Sequence, residues 1–229
     1  DAMIDQYSPN FSQAYIDPLF DELEQKLPSL ITAVMQQQQH QSSMPCQGPF
    51  AIPQQQQLNT ATMQMLGFDF KHGRLDTTFH PFCGGVPSDV RITTHYKQDD
   101  FLSGLSAVCH ETGHGCYDQG LPVEWRTQPV GEAIGMAMHE SQSLLMEMQV
   151  CHSRQFLAAI LPLIKQHFGE QVAFTVDNID QLINTVKPSL IRIHADEITY
   201  PLHVILRYKL EQQLMRAEIQ ISDLPEAWD

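Results

Sequence analysis

Apolar residues recur at helical spacing along most of this chain and at strand spacing over one short stretch. Leu19, Phe20, Leu23, Leu27, Leu30, Ile31 and Val34 trace one helix face. Asp17-Pro18 reads as a helix start within a longer helical stretch, and Pro28 is expected to bend it. Gln36 to Gln41 and Gln54 to Gln57 are short glutamine-rich runs, and the helical pattern around them predicts solvated helix surface rather than a low-complexity tract. Met44 to Pro53 reads as a loop, and a helix from Gln54 to Leu66 stops at Gly67. Between Phe68 and Tyr96 the period shortens. His72-Gly73-Arg74 separates two alternating runs, Phe68 to Lys71 and Leu75 to Phe79, and reads as a hairpin turn. Gly84-Gly85-Val86-Pro87 reads as a loop, and Val90 to Tyr96, rich in Thr and Ile, as a third strand. The small antiparallel sheet so formed, over about residues 68–96, leads directly into a helix over about residues 100–118 closed by Gly120 and Pro122. From Gly131 onward the pattern is helical, over Gly131 to Cys151, Gln155 to Phe168, Ile179 to Val186 and Asp196 to Ile219, with loops at Gly169, Asp177 and Pro188.

At 229 residues the chain can bury a substantial core, and its length suits one large domain or two small ones. No internal repeat or linker divides it, so residues 1–229 are read as a single region. A hydrophobic share of 42% and a mean hydropathy of −0.24 describe a folded globular protein rather than a disordered or membrane one. No apolar run approaches the roughly 20 residues of a membrane span, and Asp1 to Asn10 lacks the basic start of a signal peptide. The net charge of −14 argues against nucleic acid as a partner, because phosphate neutralisation needs clustered Lys and Arg. The five cysteines, Cys46, Cys83, Cys109, Cys116 and Cys151, are odd in number and contain no Cys-x-x-Cys pair. They read as reduced, mostly buried thiols of a cytoplasmic protein.

His110-Glu111-Thr112-Gly113-His114 changes the picture from fold to chemistry. Two histidines four apart share a helix face and can reach one cation, and the glutamate beside the first projects toward the open side of that cation. Ala107-Val108-Cys109 and Gly115-Cys116-Tyr117 flank the motif, so an unpartnered Glu and two histidines would be buried at a cost that a metal removes. A catalytic zinc takes three protein ligands and leaves a position for water. Glu124, Glu132, His139, Glu140, Glu147 and His152 are the candidates for the third. Glu140 is preferred to Glu132, because Gly135 on the Gly131 to Cys151 helix would allow close approach and His139-Glu140-Ser141-Gln142-Ser143 surrounds the carboxylate with hydrogen-bonding side chains. Cys109, next to His110, points off the ligand face, and neither it nor Cys116 is read as a ligand.

Together these motifs resemble the carboxypeptidase Taq family of zinc metallocarboxypeptidases. The family's Asp-x-Arg-x-Thr is matched by Asp89-Val90-Arg91-Ile92-Thr93, its His-Glu-x-x-His by His110 to His114, its His-Glu-Ser-Gln by His139 to Gln142, and its Ile-Arg-x-x-Ala-Asp by Ile191 to Asp196. The opening segment and Tyr200 to Glu211 also look family-like. The resemblance implies a mainly α fold, a multi-helix zincin-like catalytic core with a small antiparallel β-sheet beside the active site. It implies one divalent metal, zinc first and cobalt second, held by His110, His114 and Glu140, with Glu111 as general base. It places Arg91 and Arg192 around the substrate cleft, whereas the plain structural account pairs them with Asp89 and Asp196. Family members are about twice this length, and their final Gly-x-x-Gln-Asp-x-His-Trp motif is absent here, so the chain reads as a central-to-late fragment.

The expected function is removal of C-terminal amino acids from peptides. Arg192, then Arg91, is expected to read the terminal carboxylate, and Tyr200 and His203 are candidate donors to the tetrahedral oxyanion. The expected partners are peptide substrates, with no nucleic acid and no membrane, and a homodimer is left open. The competing expectations are an oligopeptidase of the same zinc class and a catalytically silent metal-binding fragment.

Overall fold

In the computed structural model, which describes residues 1–192 and 195–228, helices α1 (Ala2–Tyr7), α2 (Gln13–Gln38) and α3 (Ile52–Met65) precede strands β1 (Gly73–Thr77), β2 (Phe82–Val86) and β3 (Asp89–Thr94). Helices α4 (Phe101–Gln119), α5 (Met136–Leu144), α6 (Arg154–Phe168), α7 (Val176–Ile183), α8 (Tyr200–Met215) and α9 (Leu224–Trp228) follow. The fold is mainly helical with one small sheet, as expected. Contacts divide it into two compact units, one of residues 2–10 and 43–183, the other of residue 1, residues 11–42 and the described part of 184–229.

In the larger unit, α4 forms where predicted. Asp100 caps it, its carboxylate accepting from the Ser103 N–H at 3.2 Å, and the helix ends at Gly120. Leu105 and Cys109 pack with Phe50, Phe101, Phe174, Ile160 and Ile164 in one core. Val108 packs with Met63, Phe68, Val90 and Ile92 in a second, under the sheet. Helix α4 therefore lies between two apolar layers.

The sheet is mixed rather than antiparallel. Its order is β1-β3-β2, with β1 parallel and β2 antiparallel to the central β3. Two local features of the chain depart from an antiparallel arrangement. Phe68 to Lys71 is not a strand, because the Asp69 side chain accepts from the Lys71 N–H at 2.8 Å and lies 2.8 Å from His72 Nδ1, and a short polar side chain bonding its own backbone displaces a ladder. No hairpin forms at His72-Gly73-Arg74. The Gly84-Gly85 stretch, expected as a loop, is instead part of β2, hairpin partner of β3 across Pro87-Ser88. Gly85 has φ of 109°, and a Cβ there would lie 2.2 Å from the Asp89 carbonyl oxygen, so glycine is what lets the strand pass.

The helix expected over Gly131 to Cys151 begins only at Met136, after Gly135 at φ 147°. It continues without a break into a π-helical segment, Leu145–Cys151. Gly135 does not serve close approach to α4: its missing Cβ makes room for the Tyr7 carbonyl and Pro9. The glycine at the helix contact is Gly113, whose Cβ would lie 2.6 Å from the Gln142 carbonyl and from Ser143 Cα.

In the smaller unit, α2 runs through both Pro18 and Pro28 and starts earlier than Asp17. Phe20 meets Tyr208 of α8 edge to face at 5.1 Å, and the Tyr208 hydroxyl donates to Asp17 at 2.7 Å. Gln38 bonds both the N–H and the carbonyl of Val186, at 2.7 and 3.0 Å. The helix expected from Asp196 starts at Tyr200. Asp196 first closes a turn, accepting from the Ile198 and Thr199 N–H groups at 3.0 Å each.

Candidate metal centre

The site is built where α4 meets α5 and the π-helical segment. His110 and His114, one turn apart, stand with ring centroids 5.0 Å apart. Glu140 of α5 faces both: its Oε2 lies 3.3 Å from His114 Nε2 and 3.7 Å from His110 Nε2. Among the described residues these three form a group whose ligand atoms all lie within 4.8 Å of one another, the donor set of a divalent cation. Two imidazole nitrogens and one carboxylate oxygen, partly buried and convergent, fit zinc chemistry and that of its borderline neighbours.

The other nitrogen of each ring is engaged elsewhere. His110 Nδ1 lies 2.8 Å from Glu147 Oε2, and His114 Nδ1 lies 2.6 Å from His139 Nδ1, whose Nε2 lies 2.9 Å from Asp118 Oδ1. Glu147 and His139, weighed from sequence as third ligands, thus face the outer side of the histidines. Glu124 sits in a 3-10 turn and Glu132 is exposed, and neither belongs to the converging group. The flanking support expected of the His139 to Ser143 stretch is partly elsewhere: Ser141 donates to the Met138 carbonyl, whereas Ser143 Oγ lies 3.3 Å from Glu140 Oε2. Asp118, Glu147 and Gly113 were not assigned these positions from sequence. Spacing carries a signal for two of them: Asp118 lies four after His114, and Glu147 seven after Glu140, so each shares a helix face with a member of the converging group.

Glu111 is only 7% exposed. Burial raises its pKa above the ordinary carboxylate value, His110 and His114 pull it down, and Glu140 and Glu147 push it up again. For His110, burial acts downward, but the Glu147 hydrogen bond and the charges of Glu147, Glu140 and Glu111 outweigh it and leave the ring above its ordinary value. The Asp118 hydrogen bond, more than its charge, raises His139.

Arg91, on β3, is exposed and donates to Asp89 through Nε at 3.1 Å and Nη2 at 2.7 Å, the pairing that the structural account assigned it. Arg192 does not pair with Asp196. Its Nη1 donates to the Tyr200 hydroxyl at 3.0 Å, and its guanidinium stands 5.7 Å from that ring's centroid. His203 is buried on α8. Arg192, Tyr200 and His203 belong to the smaller unit. Ile193 and His194, inside the Ile191 to Asp196 motif, lie outside the described residues.

Known proteins place this arrangement. The chain is 37% identical to a thermostable carboxypeptidase 1 of Thermus thermophilus and 33% identical to carboxypeptidase 1 of Bacillus subtilis, in each case over all of this chain. It spans 45% and 46% of their lengths, less than half of the curated relatives it matches. Among solved structures, Trypanosoma cruzi metallocarboxypeptidase 1 superposes with a TM-score of 0.94 at 41% identity, covering 99% of this chain and 46% of that one. An M32 carboxypeptidase of Deinococcus radiodurans superposes at 0.90 with 35% identity, covering 100% and 46%. The family description that matches residues 1–229 is Carboxypeptidase Taq (M32) metallopeptidase, and the chain belongs to that family.

Proposed function

We propose that this chain carries the catalytic metal site of a carboxypeptidase that removes amino acids from the C-termini of peptides, with zinc held by His110, His114 and Glu140. The observation that carries this reading is the convergence of those three side chains beside a buried glutamate, Glu111, one residue from a ligand. When bound, the cation supplies Lewis acidity toward the scissile carbonyl and makes water a nucleophile near neutral pH. Glu111 takes the proton of the attacking water and delivers it to the leaving amine. Arg192, with Arg91 as second choice, reads the terminal carboxylate, and Tyr200 and His203 are candidate donors to the oxyanion. The five cysteines are free thiols, which suits a cytoplasmic protein, and no helix among the described residues is long and apolar enough to cross a membrane.

Product analysis on the full-length protein tests the activity: single amino acids leave the C-terminus of a free-acid peptide, and amidation of that terminus slows the wild type far more than Arg192→Ala. Equal cleavage of acid and amide peptides into internal fragments would make it an oligopeptidase. Bound zinc with no cleavage of either would make it a silent metal-binding protein.

A further inference from the structure

A metal-binding imidazole must present a bare nitrogen, so the position of its single proton decides whether it can bind. In the pair His110–Glu147, an ionised carboxylate only accepts, so the 2.8 Å contact places a proton on His110 Nδ1, and the singly protonated ring is then bare at Nε2, toward Glu140. For His114 the partner is another ring, and a 2.6 Å contact between two Nδ1 atoms does not say which donates. Asp118 decides it. Its Oδ1 lies 2.9 Å from His139 Nε2, which therefore carries that ring's proton. A His139 ring carrying that single proton accepts at Nδ1, which puts the proton between the rings on His114 Nδ1 and leaves His114 Nε2 bare, 3.3 Å from Glu140 Oε2. In that state both protons point outward and both lone pairs inward. The Tyr117 ring stands against the His139 ring with centroids 5.1 Å apart and planes at 88°.

We propose that Glu147 and the His139–Asp118 pair are positioning residues that fix the tautomers of His110 and His114, one by direct contact with a carboxylate and the other by relay through a second imidazole. This rests on the reading of His110, His114 and Glu140 as metal ligands. The two arms are unequal. Glu147 acts across one hydrogen bond, whereas Asp118 acts across two, and an amide at position 118 still offers an oxygen to His139 while no longer forcing its proton to Nε2.

The test is zinc affinity, measured by chelator competition on the full-length protein and set against the melting temperature of the metal-free form. Glu147→Ala is expected to weaken zinc binding by roughly 10- to 100-fold. Asp118→Asn is expected to weaken it less, and Glu147→Asp to recover part of the loss. Nitrogen-15 shifts of the imidazoles in zinc-loaded wild type are expected to show His110 and His114 protonated at Nδ1. Zinc affinities within twofold of wild type for both Glu147→Ala and Asp118→Asn overturn the proposal. So does a fall in the metal-free melting temperature with no loss of zinc affinity, which marks these contacts as ties between helices only. Undiminished zinc binding in Glu140→Ala overturns the assignment of the third ligand instead, and leaves the tautomer test standing.

Discussion

Two helix pairings in this chain use the same kinds of side chain to opposite ends. Where α2 meets α8, every acceptor named faces donors: Tyr208 donates to Asp17 at 2.7 Å, Gln212 reaches the same carboxylate at 3.5 Å, and Lys209 donates to Glu24 at 2.6 Å. Where α4 meets α5 and the π-helical segment, the polar groups are shared. His110 lies between Glu147 and Glu140, His114 between His139 and Glu140, and Glu111 is buried beside them. The first pairing is complete as it stands. The second leaves two imidazole nitrogens and a carboxylate oxygen converging within 4.8 Å of one another, an arrangement that could hold a cation. Gly113 makes the second pairing: without a Cβ it lets the backbone of α5 touch α4, and that brings Glu140 within reach of both rings.

The strongest way to break this contrast is to remove the shared acceptor. Glu140→Ala is expected to abolish stoichiometric zinc in elemental analysis, and full occupancy would show that the convergence is incidental. Next in size is Glu111→Gln, expected to keep zinc and lower turnover by about 10²- to 10⁴-fold. Loss of zinc in that variant would make Glu111 a ligand rather than a base. Gly113→Ala sets two effects against each other. Alanine favours a helix by about 1 kcal/mol over glycine, but the added Cβ would stand 2.6 Å from the Gln142 carbonyl and from Ser143 Cα. Overpacking of this kind costs about 1–3 kcal/mol, so a lower melting temperature together with weaker zinc binding is expected. An unchanged zinc affinity would show that helix spacing does not set the site.

The smallest effects belong to the self-contained pairing. Lys209→Ala, which breaks an exposed ion pair, is expected to cost less than about 1 kcal/mol in denaturant unfolding. Tyr208 sharpens the same point through pH. Burial, followed by the hydrogen bond to Asp17 and its charge, pushes its phenol up to about 12. The folded form therefore favours the protonated phenol, and the stability it adds is intact below about 10 and lost as the pH rises from there through about 12. An ultraviolet titration in which every tyrosine ionises together near 10 would contradict that contact.

The linear chain specifies whatever is decided within a turn or two of helix. The period of apolar residues sets α4 and α6, Asp100 and Gly120 set the ends of α4, and the spacing of His110 and His114 sets two imidazoles on one face, because a helix repeats on that scale. It is silent, or misleading, where the deciding contact is far along the chain. Leu75 pairs with Ile92 in a parallel register that no hairpin signal announces, and Gly84-Gly85 is held as strand by the backbone of β3. Gly113 and Gly135 look alike in sequence, yet one admits α5 and the other admits Tyr7 and Pro9. Whether Arg91 and Arg192 stay with their near acidic neighbours divides in the same way: Asp89 keeps Arg91, whereas Asp196 is occupied by its own turn and Arg192 goes to Tyr200. The three residues that converge, His110, His114 and Glu140, were therefore legible in the sequence as a candidate set, but the order of the carboxylates was not. Glu140 facing Nε2 and Glu147 facing Nδ1 differ only in which side of an imidazole they reach, and that follows from how closely two helices pack.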